Sequence, residues 1–102
     1  HVDKGGKKIP VASYKPITGH SMGAVGAWET IIGCKILEEQ VIPPTINSQP
    51  EGDYVVNPIY ENIDVVREKR EGPVNVVLQV NWGLGGQNGA LLLARPDYMD
   101  KR

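Results

Sequence analysis

Two apolar runs constrain what this chain can fold into: Val74-Asn75-Val76-Val77-Leu78-Gln79-Val80-Asn81 and Ala90-Leu91-Leu92-Leu93-Ala94-Arg95. Each has the length and side-chain type of a strand. The segment between them, Trp82-Gly83-Leu84-Gly85-Gly86-Gln87-Asn88-Gly89, is a turn, so the pair reads as a hairpin. Strands this apolar need cover on both faces, usually from helices. The chain offers one long helical pattern, and one helix cannot cover two faces. It is therefore incomplete as a lone chain, and is either part of something larger or paired with another copy.

The helical pattern runs from about Ser21 to Glu39. Val25, Trp28, Ile32 and Ile36 recur at helical spacing, and Ile31, Cys34 and Leu37 widen the apolar face. Such a helix would be roughly 28 Å long. Gly23, Ala24, Gly26, Ala27 and Gly33 punctuate it, and each glycine costs about 1 kcal/mol of helix propensity against alanine. A helix that accepts this needs another backbone close by, which predicts that it is buried.

Ahead of it, Ile9 to Tyr14 reads as a short strand with Pro10 near its start, followed by a loop from Lys15 to Gly19. Pro43-Pro44 ends the helical region and predicts an extended Thr45-Ile46-Asn47. Ser48 to Asn62 is turn-rich, and Ile63-Asp64-Val65-Val66 is a candidate edge strand. Residues 1–8 read as a linker or cut loop, 9–96 as the folded segment and 97–102 as a solvated tail.

A net charge of −1 with mixed signs gives no footprint for nucleic acid or an anionic membrane surface. Arg67-Glu68-Lys69-Arg70-Glu71 reads as a solvated loop. No segment is apolar for the length of a membrane span. The lone Cys34 excludes an internal disulfide and suits a reducing, cytoplasmic setting; mid-helix among apolar residues, it reads as a packed thiol rather than a nucleophile. Two histidines give no metal constellation.

The chemistry concentrates around His20, at the head of the helical pattern. Gly19 beside it permits close approach of a substrate, and unsatisfied helix N–H groups lie nearby. A neutral imidazole there can donate to a carbonyl from one nitrogen and accept through the other. Lys15 precedes His20 by five residues and Glu29 follows by nine, so the lysine could fold back onto the glutamate as a buried pair. The glycines between the two strands have the wrong spacing and context for dinucleotide binding. They fit a tight turn that aims backbone N–H groups at a site.

Taken together, Lys15…Thr18-Gly19-His20-Ser21-Met22-Gly23-Ala24-Val25-Gly26-Ala27…Glu29, Val41-Ile42-Pro43-Pro44-Thr45-Ile46-Asn47 and Trp82 to Gly89 resemble the C-terminal segment of a β-ketoacyl-ACP synthase. Their order and spacing match that family's K-x-x-x-G-H…G-A-A-G…E, I-P-P-T-x-N and G-F-G-G-T-N-G motifs. The resemblance covers Val11 to Arg95.

It implies an α/β, thiolase-like fold, of which this chain supplies the C-terminal part of the second half: a mixed sheet with a buried active-site helix. It also implies an acyltransferase that condenses an acyl thioester with malonyl-ACP, releasing carbon dioxide, in fatty-acid or polyketide synthesis. His20 then resembles the histidine that hydrogen-bonds the malonyl thioester carbonyl. Lys15 and Glu29 support the site, and Gly83, Gly85 and Gly86 form its turn. Leu84, where the family usually has phenylalanine, gives its N–H to the oxyanion hole and its side chain to the acyl gate.

The reacting groups arrive on the phosphopantetheine of acyl carrier protein, so no cofactor and no metal is implied. The implied partners are that carrier, the upstream remainder of the synthase and a second synthase-like subunit in a homo- or heterodimer. The nucleophilic cysteine and the first histidine belong to the upstream segment and are absent here. The alternative is a non-catalytic, chain-length-factor-type subunit of the same fold. Leu84 and Gln87, in place of phenylalanine and threonine, leave that alternative open, whereas His20, Lys15 and Glu29 argue against it.

Overall fold

The computed structural model describes residues 8–48 and 62–99. Most of the expected linker, the loop at 49–61 and the tail beyond Met99 lie outside these residues. The chain is α/β in kind, with helices and small sheets, and it divides into two compact units. One draws on residues 8–19, 43–48 and 62–70, the other on 20–42 and 71–99.

In the first unit, β1 (Ile9–Val11) runs parallel to β3 (Ile63–Val65), with Pro10 opposite Asp64. Pro10 thus sits mid-strand rather than at the strand's beginning. The ladder tolerates it because the Val11 carbonyl, and with it the Val11 N–H, faces β3 and accepts from the Val66 N–H at 3.0 Å. The nitrogen of Pro10 points the other way, where no ladder bond is lost.

Val66 is fully buried, and its carbonyl accepts from the Thr45 N–H at 2.7 Å. Thr45 Oγ1 accepts from the Ser13 N–H, and the Tyr14 hydroxyl donates to the Pro43 carbonyl at 3.1 Å. Burial pushes the Tyr14 hydroxyl up from 10.0 to about 12. The expected extended stretch after Pro44 is instead a turn at Ile46–Asn47, with Asn47 at φ 57° and the Ser48 hydroxyl donating to the Thr45 carbonyl at 2.6 Å. Asparagine's tolerance of the left-handed region and a serine side chain that closes the turn override the extended bias of the prolines.

The predicted loop at Lys15–Gly19 contains one helical turn, α1 (Lys15–Thr18), closed by the Gly19 N–H on the Lys15 carbonyl at 2.8 Å. Its proline lies in the first turn, where a missing N–H costs nothing. Gly19 leaves it at φ 71°, a conformation suited to glycine. The supposed solvated loop at 67–71 is partly tied down. Arg67 Nε donates to the Ser48 carbonyl, Arg70 pairs with Asp64 at 2.8 Å, and Arg70–Glu71 forms a short strand, β4, on which one unit ends and the other resumes.

The second unit is built on one helix and one hairpin. A 3₁₀ turn at Met22–Ala24 leads into α2 (Val25–Glu39), about 22 Å long. α2 therefore starts later than the apolar spacing predicts, because Met22 stands at φ 52°, in the left-handed region that a right-handed helix cannot include. At the other end Gln40 takes a left-handed conformation and stops the helix, its N–H bonding the Ile36 carbonyl. The Gln40 side-chain amide donates to the carbonyls of Leu37 and Val74, while its oxygen accepts from the Val74 N–H. β2 (Val41–Ile42) follows.

The hairpin pairs β5 (Val76–Trp82) with β6 (Asn88–Ala94) antiparallel, with Leu78 opposite Leu92 and Trp82 opposite Asn88. A helical turn, α3 (Pro96–Met99), closes the described chain. One face of the hairpin carries Val77, Gln79, Asn81 and Leu93 toward α2. The other carries Val76, Leu78, Val80, Trp82 and Leu92, all exposed. Within α2 only Gly33 and Ile36 are buried, and Trp28 and Ile31 are more than half exposed. Cys34 is likewise exposed, against the reading of a packed thiol. A single helix reaches one face of the hairpin and leaves its own far side open, as the apolar excess of the sequence requires. No helix among the described residues is long and apolar enough to cross a membrane.

Candidate active site

The contact of α2 with the hairpin is graded along the helix. Near its C-terminal half Gly33 lies against side chains, not against a second backbone: a Cβ there would stand 2.9 Å from Leu93 Cδ1 and 3.4 Å from Val77 Cγ1. The lost helix propensity at that glycine is the condition for this approach.

Toward the N-terminal half the contact turns polar. Asn81 Nδ2 donates to Glu29 Oε2 at 2.7 Å, and Asn81 Oδ1 accepts from Gln79 Nε2 at 2.9 Å. Gln79 Nε2 also reaches the Gly26 carbonyl at 2.8 Å. Gln79 Oε1 lies 2.7 Å from the Thr30 hydroxyl, which is also 2.8 Å from the Gly26 carbonyl. Gln79 and Asn81 were read only as members of an apolar strand. Because they alternate with Val80, Gln79 and Asn81 share the face of Val77, the signal that they turn inward together.

His20 stands ahead of the 3₁₀ turn rather than at the first turn of the α-helix, and it is exposed in this chain instead of enclosed. The unit that holds His20 is built on one long helix and one hairpin, too little to build walls around the ring. Its Nδ1 accepts from the Met22 N–H at 3.3 Å, a bond that accompanies the left-handed Met22 backbone at φ 52°. With Nδ1 accepting, a neutral ring carries its hydrogen on Nε2, and that N–H is the group presented outward.

The turn between the strands spans residues 83–87. The Gly83 N–H donates to the Gln87 carbonyl at 2.7 Å and the Gly86 N–H to the Gly83 carbonyl at 3.3 Å. Gly85 and Gly86 have φ of 90° and 81°, so glycine is needed at both. These bonds use the N–H groups of Gly83 and Gly86. Among the described residues the Leu84 N–H makes no hydrogen bond, and the Leu84 side chain is 93% exposed.

The structure thus ties Glu29 to the strand that leads into the turn. It places Leu84 at the tip of the turn and His20 at the start of the same unit. Among the described residues no hydrogen bond joins His20 to the turn. Lys15, exposed in α1, belongs to the other unit. No group of three or more His, Cys, Asp or Glu among the described residues could hold a metal ion.

Comparison with known proteins bears on these same residues. A family model for the β-ketoacyl synthase C-terminal domain matches residues 1–49, the stretch that holds Lys15, His20 and Glu29. A 3-oxoacyl-[acyl-carrier-protein] synthase 2 from Coxiella burnetii is 39% identical over 93 residues, covering 86% of this chain and 20% of that protein. The tetracenomycin polyketide synthase ketoacyl synthase alpha subunit of Streptomyces glaucescens is 43% identical over 93 residues, with the same coverage. A 3-oxoacyl-[acyl-carrier-protein] synthase 2 from Vibrio harveyi is 35% identical over 95 residues, 91% of this chain and 21% of that protein. The chain spans about a fifth of the length of these curated relatives. By sequence, and with an α/β structure in keeping, it belongs with the β-ketoacyl-ACP synthases, as a segment of their C-terminal part.

Proposed function

We propose that this chain is the C-terminal part of a condensing enzyme that joins an acyl thioester to the malonyl unit of malonyl-ACP. Malonyl decarboxylation releases carbon dioxide and leaves an enolate. Its carbon attacks the acyl carbonyl, and the cysteine thiolate that held the acyl group departs. That cysteine and the first histidine belong to the upstream part of the complete protein in this reading. The observation that carries it is the whole Lys15–Glu29 motif lying inside the stretch matched by the family model.

Within that reaction, the outward Nε2–H of His20 donates to the malonyl thioester carbonyl and holds the oxygen as charge develops on it. The uncommitted Leu84 N–H serves the oxyanion of the acyl carbonyl, and the Gly83, Gly85 and Gly86 turn sets its direction. The exposed Leu84 side chain gates the acyl pocket. Lys15 and Glu29 hold the local geometry and do not react. The remainder of the synthase covers the open faces of α2 and the hairpin. There α2 becomes a buried helix and the strands join a mixed sheet. Acyl carrier protein and a second synthase-like subunit are the partners of the assembled enzyme.

The test is made on the complete protein. His20→Ala should abolish carbon dioxide release from malonyl-ACP and leave acyl loading onto the cysteine intact. Decarboxylation at the parent rate would overturn the reading.

A further inference from the structure

The polar end of the α2–hairpin contact has a fixed direction. A carboxylate oxygen can only accept, so Asn81 must turn its Nδ2 to Glu29 and its Oδ1 to Gln79. Gln79 must then present Nε2 to Asn81 and to the Gly26 carbonyl, which places Oε1 on the Thr30 hydroxyl. Every amide orientation follows from the carboxylate outward, and the donors point toward it: Thr30 to Gln79, Gln79 to Asn81, Asn81 to Glu29. Flipping either amide would set two donors or two acceptors face to face within this part-buried contact.

The two ends of this relay are attached to the two parts of the proposed site. Glu29 and Thr30 ride on α2, whose leading turn follows His20. Asn81 is followed at once by Trp82 and the Gly83–Gln87 turn that carries Leu84. We infer that Asn81 is a positioning residue for the condensation: by orienting Glu29 it fixes the register between the helix that bears His20 and the turn that bears the oxyanion donor. This inference rests on the condensing-enzyme reading and adds to it a residue that touches neither substrate nor leaving group.

The experiment uses the complete protein, with His20→Ala run beside it as the control for the reading itself. Asn81→Asp keeps the shape and reverses the donor, so two carboxylates face each other at hydrogen-bond distance. Decarboxylation of malonyl-ACP should lose roughly tenfold or more in kcat, because a small misplacement of a reacting group is costly. KM for malonyl-ACP should stay within about twofold, because no substrate contact is removed. A proton shared between the facing carboxylates rebuilds the bond, so the kcat of this variant should climb as pH is lowered, on a limb that the parent lacks. A merely structural role would not create that limb.

Should that variant fail to fold, Asn81→Leu, which keeps the size and removes both polar atoms, should lose kcat by a similar factor without the acid limb. An unchanged kcat in a folded Asn81→Asp or Asn81→Leu would overturn the inference while leaving the function intact. Parental decarboxylation in His20→Ala would overturn the function first, and the inference with it.

Discussion

The two ends of the α2–hairpin contact solve the same problem by different means. Around Gly33 and Ile36 the helix is held by exclusion of water. The side chains of Leu93 and Val77 come so close that the helix can present only a hydrogen atom there. Around Gly26 and Glu29 it is held by hydrogen bonds whose partners are dictated one after another. Packing is strong and indifferent to direction, whereas the amide relay adds little net energy but permits one orientation. The end nearer the proposed chemistry uses the second means. A site needs its groups aimed more than it needs them buried.

The comparison can be broken by substitution in the complete protein, with the denaturation midpoint as the measure. Ile36→Ala should cost about 3 kcal/mol, the largest effect, because Ile36 is 8% exposed and its loss opens a cavity. Gly33→Val should cost about 2 kcal/mol by overpacking against Leu93 and Val77. Gln79→Leu should cost about 1–2 kcal/mol, since it leaves Asn81 Oδ1 without its donor. If Gln79→Leu proved as costly as Ile36→Ala, the division between a packing end and an aiming end would fail.

Tyr14 offers a smaller effect, read in pH. Its folded value, about 12, lies above the ordinary 10.0, so the folded state keeps a proton that the unfolded state gives up. Its contribution is complete below pH 10 and should fade as pH rises from 10 toward 12. Tyr14→Phe should flatten that alkaline limb in a stability-against-pH series. Least of all, Leu84→Ala should move stability by no more than about 0.5 kcal/mol, because the side chain is 93% exposed. Leu84→Phe should nevertheless shift acyl-length preference across a substrate series.

Much of this unit was legible because its signals are local and periodic. The apolar runs gave both strands within two residues at each end, and the glycines gave the turn. The helix punctuated by Gly33 is expected to lie against another backbone, but at Gly33 it meets the side chains of Leu93 and Val77 instead. What escaped depends on tertiary partners. Nothing in the local sequence marks Gln40, yet its side chain ties the helix end to Val74. Gln79 and Asn81 read as members of an apolar strand, and nothing in a single strand reveals that Glu29 and Gly26 await them. His20 and its motif were legible because their spacing carries the resemblance. The surroundings of the ring were not, because the walls of such a site come from chain far away in sequence.

The bond between the His20 ring and the Met22 amide has a consequence for what that ring can do. One nitrogen is already engaged in bracing the backbone behind it, so only the opposite nitrogen is left to offer to a visitor. A side chain fixed in this way can steady an oxygen through a whole reaction cycle. It is poorly placed to ferry protons from one side of itself to the other, and any such traffic has to fall to another group.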